Sequence, residues 1–498
     1  MAKEQYLTAP PKLTTWPPGV PYIIGNEAAE RFSYYGMNSI LTIFMTKYLL
    51  DKMGRLSVMQ PAAAEAWYHT FVSVLYFLPL FGAVLADAVF GKFKVVLWLS
   101  IVYCLGHATL ALMGSPVAHM IEPRYLLALG LIMIAMGAGG IKPCVSTNVG
   151  DQFGETNKHL LPKLFNWFYF SINAGSALST LLIPWLLEPY KADPNGILAR
   201  MGPSAVGFLE NPRLHSPDIA FGLPGVFMVI ATIFFWVGRK KFVHIPPVGM
   251  KNYAAEFCNK ETLKAIGNVL IPVPFVAVFW ALWQQNFSSW IVQAESMDRR
   301  LFGIEWLSSQ IQTVNPLFIL IMLPIFSYAV YPLVEKVVTL TPLRKIGAGL
   351  FVTAASFFMV ALIQKWIDAG QRPSITWQVW AFVILTVGET LVSPVHLEFS
   401  YTQGPVKMKS LIMCTYLLAI SLGNQLTAVV NWLIQNPDGT VKLQGASYFM
   451  FFVWVMLGTA VLFVIVTPFY KGRTFLQDQA ENVEDTRTNI GLAAQPEL

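Results

Sequence analysis

The sequence predicts an all-α integral membrane protein of twelve transmembrane helices, arranged as two six-helix halves. Three observations carry that expectation. Of the 498 residues, 55% are hydrophobic and only 12% are charged, about half the charge of a soluble chain. The apolar residues form long runs, and a helix needs roughly 20 such residues to cross the hydrocarbon core. The runs come in an even number, with the basic residues gathered in alternate loops.

The runs lie at roughly 21–49, 67–90, 94–114, 124–146, 161–187, 219–238, 267–292, 312–338, 343–364, 376–398, 410–434 and 446–470. An even number places both termini on one side, and Lys and Arg near the helix ends mark the cytoplasmic side. The loops after helix 2 (Lys92, Lys94), helix 6 (Arg239, Lys240, Lys241, Lys251, Lys260, Lys264), helix 8 (Lys336, Arg344, Lys345) and helix 10 (Lys407, Lys409) are basic. The opposite loops mix their bases with Glu188, Asp193, Glu210, Asp218, Glu295, Asp298 and Glu305. Both termini are therefore expected in the cytoplasm. The longest basic connection divides the chain into a cytoplasmic segment 1–20, a first bundle 21–238, a linker 239–266, a second bundle 267–470 and a tail 471–498. Two halves of this kind are the plan of the major facilitator transporters. Asp87, with Gly91 and Lys92, ends helix 2 in "GAVLADAVFGKFK". Such a turn either bridges neighbouring helices and stabilises one gating state, or is simply solvated.

Several function classes drop out. The net charge of +6 comes from scattered loop residues and forms no patch for nucleic acid. Cys104, Cys144, Cys258 and Cys414 stand apart, so neither a disulfide framework nor a metal site is expected. The proline-rich N-terminus lacks the apolar core of a signal peptide. No HExxH, no GxSxG and no paired membrane aspartates occur, so the chain is not expected to be an enzyme.

Ionisable groups inside spanning helices usually face a cavity. In "NEAAERFSYYG", Glu27 is spaced to lie beside both Glu30 and Arg31, and Tyr34 extends that face. The cluster keeps a net charge of −1, which calls for a cation or a proton. Lys142 in "MGAGGIKPCVS" is the expected cation, in a helix whose glycines allow close approach. Glu389 lies in the other half, on helix 10. Asn173 and Asn315 add amides at helix centres, either as ligand groups or as links between helices. A basic pole in one half and an acidic pole in the other suit a small zwitterion.

These residues resemble the proton-dependent oligopeptide transporters, the peptide-transporting branch of the major facilitators. "NEAAERFSYYG" is similar to that family's helix 1 signature, and "GIKPCVSTNVGDQF" and "FYFSINAGS" to its segments in helices 4 and 5. "FWALWQQ", "NPLF" and "LEFSYTQGPVKMKS" resemble segments in helices 7, 8 and 10. The resemblance implies import of di- and tripeptides driven by protons, through alternating access, by a monomer in the plasma membrane that needs no cofactor besides the coupling proton. Arg31 and Lys142 would hold the peptide carboxylate, Glu389 its amino terminus, and Asn173 and Asn315 its backbone. Tyr34, Tyr35, Tyr76 and Tyr169 would line the cavity, with Trp280, Ser393 and Tyr416 shaping side-chain pockets. Glu27 and Glu30 would take the proton. The same fold carrying nitrate or an amino acid is the alternative.

The chain departs from many bacterial members in three ways. It is too short between the halves for their extra helix pair. Asn38 and Gln284 stand where those members have an Arg and an acid that close the outer gate as a salt bridge. Losing both charges together leaves no costly unpaired ion, but the gate must then close by other contacts. His69, where animal-like members carry a proton-binding histidine, is the expected replacement proton site.

Overall fold

The computed structural model describes residues 6–189, 207, 210–402, 409–438 and 440–469. Asp193, Lys407 and the expected tail 471–498 lie outside them. Helix 1 is Val20–Ile43, prolonged by a π-turn to Tyr48. Helix 2 runs Pro61–Phe77 and continues as Pro79–Val84 and a π-turn to Phe90. Helices 3 to 6 are Lys92–Ala111, Pro123–Gly150, Leu161–Leu187 and Pro217–Gly238. Helix 7 is Val273–Trp283, carried on by a 3-10 turn, Gln284–Phe287, and by Ser289–Glu295. Helix 8 is Val314–Ile325, continuing to Glu335. Helices 9 to 12 are Pro342–Asp368, Thr376–Thr402, Lys409–Leu433 and Ala446–Val466.

The protein is a multi-pass membrane protein. Among the described residues, ten helices are long and apolar enough to span a bilayer, or eleven with the bent helix 7 counted as one. The expected twelve is not reached on that standard because helix 1 carries Glu27, Glu30 and Arg31 within its 24 residues. The outward faces are apolar, with Trp98, Leu129, Trp454 and Val461 all more than half exposed. Soluble proteins do not leave such surface open to water; lipid is its natural cover.

Several boundaries differ from the sequence expectation, helix 2 for one starting at Pro61, not 67. Helix 7 starts at Val273, not 267, because Pro272 and Pro274 break the apolar run; the preceding helix Lys260–Leu270 meets it at 43°. The linker is also helical, with Met250–Phe257 and Lys260–Leu270 joined at Asn259, whose side chain accepts from Glu261 N at 3.1 Å. Its buried positions, Tyr253, Ala265 and Val269, set it against the bundle. Strand pairing among the described residues is confined to a hairpin, Arg300–Leu301 with Ile304–Glu305, and isolated bridges such as Leu7 with Val243. Pro143 does not interrupt helix 4, as neighbouring helices tolerate such prolines in membranes.

Packing repeats between the halves with an offset of six helices. Helix 1 packs on 5 and 6, helix 3 on 4 and 6, and helix 2 on 4; helix 7 packs on 11 and 12, helix 9 on 10 and 12, and helix 8 on 10. The contacts that join the halves, helix 2 with 11 and helix 5 with 8, obey the same offset. Glycines make close crossings possible: a Cβ on Gly82 of helix 2 would lie 2.8 Å from Gly140 Cα of helix 4.

Candidate functional site

Helix 1 presents its polar face inward: Asn26, Glu27, Glu30, Ser33, Asn38, Ser39 and Thr42 are all buried. The i, i+4 spacing places Arg31 Nε 2.7 Å from Glu27 Oε1 as a hydrogen-bonded pair. Glu30 Oε2 is 3.2 Å from the same nitrogen, in ion-pair range but without hydrogen-bond geometry.

Lys142 lies within electrostatic reach of Glu27 and Glu30, the cluster whose residual charge called for a cation, but hydrogen-bonds neither. Its Nζ has no hydrogen-bond partner and sits over the rings of Tyr34 and Tyr76, 4.3 and 5.2 Å from their centroids. The electron-rich ring faces hold the ammonium in place of a carboxylate. Helix 4 supplies this geometry because Lys142 projects toward helices 1 and 2, where the tyrosines stand.

In the second half, Glu389 accepts from Trp283 Nε1 at 2.9 Å and from Asn315 Nδ2 at 2.7 Å, and both bonds fall on Oε2. Its other oxygen makes no hydrogen bond among the described residues. Asn315 also donates to Thr386 Oγ1 at 3.1 Å, so its NH2 orients the carboxylate through two bonds. Asn173 donates to Tyr169 O of its own helix at 2.9 Å, which uses one of its two amide N–H groups. Ser393 and Tyr416 share a hydrogen bond of 2.8 Å, and Trp280 meets the Tyr416 ring edge-on at 5.9 Å. Tyr35 and Tyr416 lie within electrostatic reach of both Arg31 and Glu389.

The end of the bundle opposite the linker is closed between the halves. Asn38 and Gln284 do not touch; Tyr68 stands between them, accepting from Asn38 at 3.0 Å and donating to Gln284 at 3.4 Å. Thr42 donates to Phe287 O at 2.9 Å, and Thr180 and Thr313 bond at 3.0 Å. His69 is fully buried here, with Nδ1 2.8 Å from Asn424 Oδ1 and Nε2 2.9 Å from Ser288 Oγ. Sequence reasoning placed His69 near this end but not its seclusion from solvent. It also missed Trp283 and Tyr68. Their buried N–H and O–H groups need partners, and that requirement was the available signal. At the other end of helix 2, Lys92 pairs with Asp151 at 2.6 Å, while Asp87 offers its backbone carbonyl to Val248 N at 2.9 Å. The bridge expected at this turn is therefore made by its lysine.

The family profile of the POT family matches residues 93–259 and 250–450. The chain belongs to the POT family. It is 34% identical over 386 residues to Peptide transporter 3 of Caenorhabditis elegans, covering 71% of this chain and 51% of that protein. With Solute carrier family 15 member 2 of Homo sapiens it is 34% identical over 393 residues, or 70% and 49% of the two chains. The chain thus spans about half the length of the curated relatives it matches. The crystal structure of the POT family transporter PepTSo is similar over 92% of this chain and 99% of that one, with a TM-score of 0.76 and 31% identity. The family is one of transporters, and the major facilitator architecture expected from the loops is that of its solved members. The helix 1 signature lies outside the profile match, so its weight rests on the geometry above.

Proposed function

We propose that the protein is a proton-coupled symporter that imports di- and tripeptides by alternating access. The observation that carries this reading is the pair of opposed poles: Glu389 with one carboxylate oxygen free, and Arg31 with Lys142 in the other half. A peptide's ammonium and carboxylate complement them. Lys142 lacks a hydrogen-bond acceptor, and an incoming carboxylate supplies one. Arg31 is held by Glu27 until a proton on Glu27 weakens that pair and frees the guanidinium for the substrate. Peptide release lets the pair re-form, so proton and peptide are linked through one charge balance. His69, at the closed end, is exposed only when the halves part there, and would load its proton then. Glu30 shares the proton site. The bundles 21–238 and 267–470 move as the two rocking bodies, in a cell membrane with both termini cytoplasmic and one chain as the working unit.

The test is uptake of labelled dialanine into proteoliposomes with an imposed inward proton gradient. Glu27→Gln should uncouple uptake from the gradient, while Lys142→Ala and Glu389→Ala should weaken binding. Uptake that is indifferent to the gradient, or suppressed by nitrate or a free amino acid instead of by peptides, would overturn the proposal.

A further inference from the structure

The closed end holds a second tier of contacts further out than Tyr68. Lys47, in the π-turn that ends helix 1, pairs with Glu295 at the end of helix 7. Lys47 Nζ also lies 3.8 Å from Glu188 of its own half. Glu295 is held from its own half by Arg299 at 3.0 Å, and Arg299 reaches Glu305 at 3.9 Å. The five groups alternate in sign along the row Glu188, Lys47, Glu295, Arg299, Glu305, and the Lys47–Glu295 link is the one that crosses between the halves. It lies roughly 13 Å along helix 1 beyond Asn38, at 1.5 Å per residue.

The geometry points to Lys47 and Glu295 as the ionic element of the outer gate, taking over the task that the neutral pair Asn38 and Gln284 does not perform. This rests on the proposed transport cycle, in which the closed end must open to admit substrate. Two features make the displacement physically sensible. Helices 1 and 7 both leave the regular α-helical path between the two tiers, at Phe44–Tyr48 and at Gln284–Phe287, so the outer tier can be positioned separately from the inner one. The pair is also partly exposed, Lys47 by 38% and Glu295 by 22%. A lone surface pair contributes little, but an alternating network with one link across a gate has its whole effect on the closed state. Partly exposed, it also opens without stranding the uncompensated charge that breaking a buried pair would leave.

The test is a charge exchange read by distance, independent of any substrate. Spin labels at Met53→Cys and Phe302→Cys, on exposed loops of the two halves, report the gate, with the exposed Cys258 replaced by serine. Lys47→Glu or Glu295→Lys alone should shift the population toward the wider distance by roughly fivefold, the scale of one exposed pair. The double exchange re-forms the cross-half pair but sets it against Glu188 and Arg299, so it should recover part of the closed population and of the dialanine uptake that either single variant loses. High salt should weaken closure in the unmodified gate. A double variant no better than either single one, or single variants that leave the distance unchanged, overturns the assignment. If distances behave as stated but the unmodified protein moves no dialanine, the gate stands and the peptide reading fails.

Discussion

Replacing Glu389 by Gln isolates the charge at the acidic pole from its geometry. Both donors to Glu389, Trp283 Nε1 and Asn315 Nδ2, use Oε2. A glutamine with its carbonyl oxygen there keeps both bonds and places an NH2 where Oε1 was. The pocket stays packed, and the only loss is the anionic partner for a peptide's ammonium. Hydrogen bonds to charged groups contribute about 1.5–3 kcal/mol, and each 1.4 kcal/mol is a factor of ten, so apparent affinity for dialanine should fall by roughly 10- to 150-fold. The assay is concentration-dependent uptake of dialanine against N-acetyl-dialanine, whose amine is blocked. The unmodified protein should prefer the free amine by a comparable factor, and Glu389→Gln should erase the preference. An unchanged KM for dialanine, or preference for the free amine retained in the variant, would refute the assignment of Oε1.

Four further outcomes follow from the same geometry. Tyr68→Phe removes the hydroxyl between Asn38 and Gln284, costs the closed state about 1–2 kcal/mol, and should raise the open population roughly fivefold to thirtyfold in the gate-distance measurement; an unaltered population would contradict it. His69→Ala should abolish proton-driven uptake while sparing peptide exchange, and full gradient-driven uptake by that variant would sink the proton role. Lys142→Ala should weaken dialanine binding but leave a carboxyl-esterified dipeptide unaffected, so equal losses on both would remove Lys142 from the carboxylate site. Gly82→Val forces a side chain into the Gly139–Gly140 backbone of helix 4, at about 1–3 kcal/mol for overpacking; a melting temperature in detergent equal to that of the unmodified protein would show that the crossing is looser than it looks.

The fold and the inner charges were legible in the sequence because both are exceptions to a background. Long apolar runs stand out against average composition, and Glu27, Glu30, Arg31, Lys142 and Glu389 stand out against the runs. What charge counting could not supply was partner choice. It brought Lys142 to the residual −1 of helix 1, within whose electrostatic reach it lies, but not to the ring faces of Tyr34 and Tyr76 on which its ammonium sits, because aromatic residues carry no sign to be counted. Neutral polar groups were harder still. Tyr68 bonds Gln284 across 216 residues and His69 bonds Asn424 across 355, separations at which periodicity says nothing. Lys47 drew no notice in the sequence, and Glu295 stood only as one acid of a mixed loop. Their pairing depends on where two separate halves meet.

Helix 1 connects these levels physically. Arg31 and Asn38 are seven residues apart and Thr42 follows four later, a spacing that keeps them on one face. Lys47 ends the same rod on the order of 20 Å from Arg31. On the proposed function, a peptide carboxylate that draws Arg31 from Glu27 acts on the inner stretch of a helix whose outer stretch is held to helix 7 at three levels: Asn38 through Tyr68 to Gln284, Thr42 to Phe287, and Lys47 to Glu295. A ligand shifts such an equilibrium only by its difference in affinity between the two states. The neutral middle tier keeps each step of that difference small. No buried ion has to be stripped of its partner when the gate opens, so an exposed ion pair and a few hydrogen bonds are all that substrate and proton must outweigh.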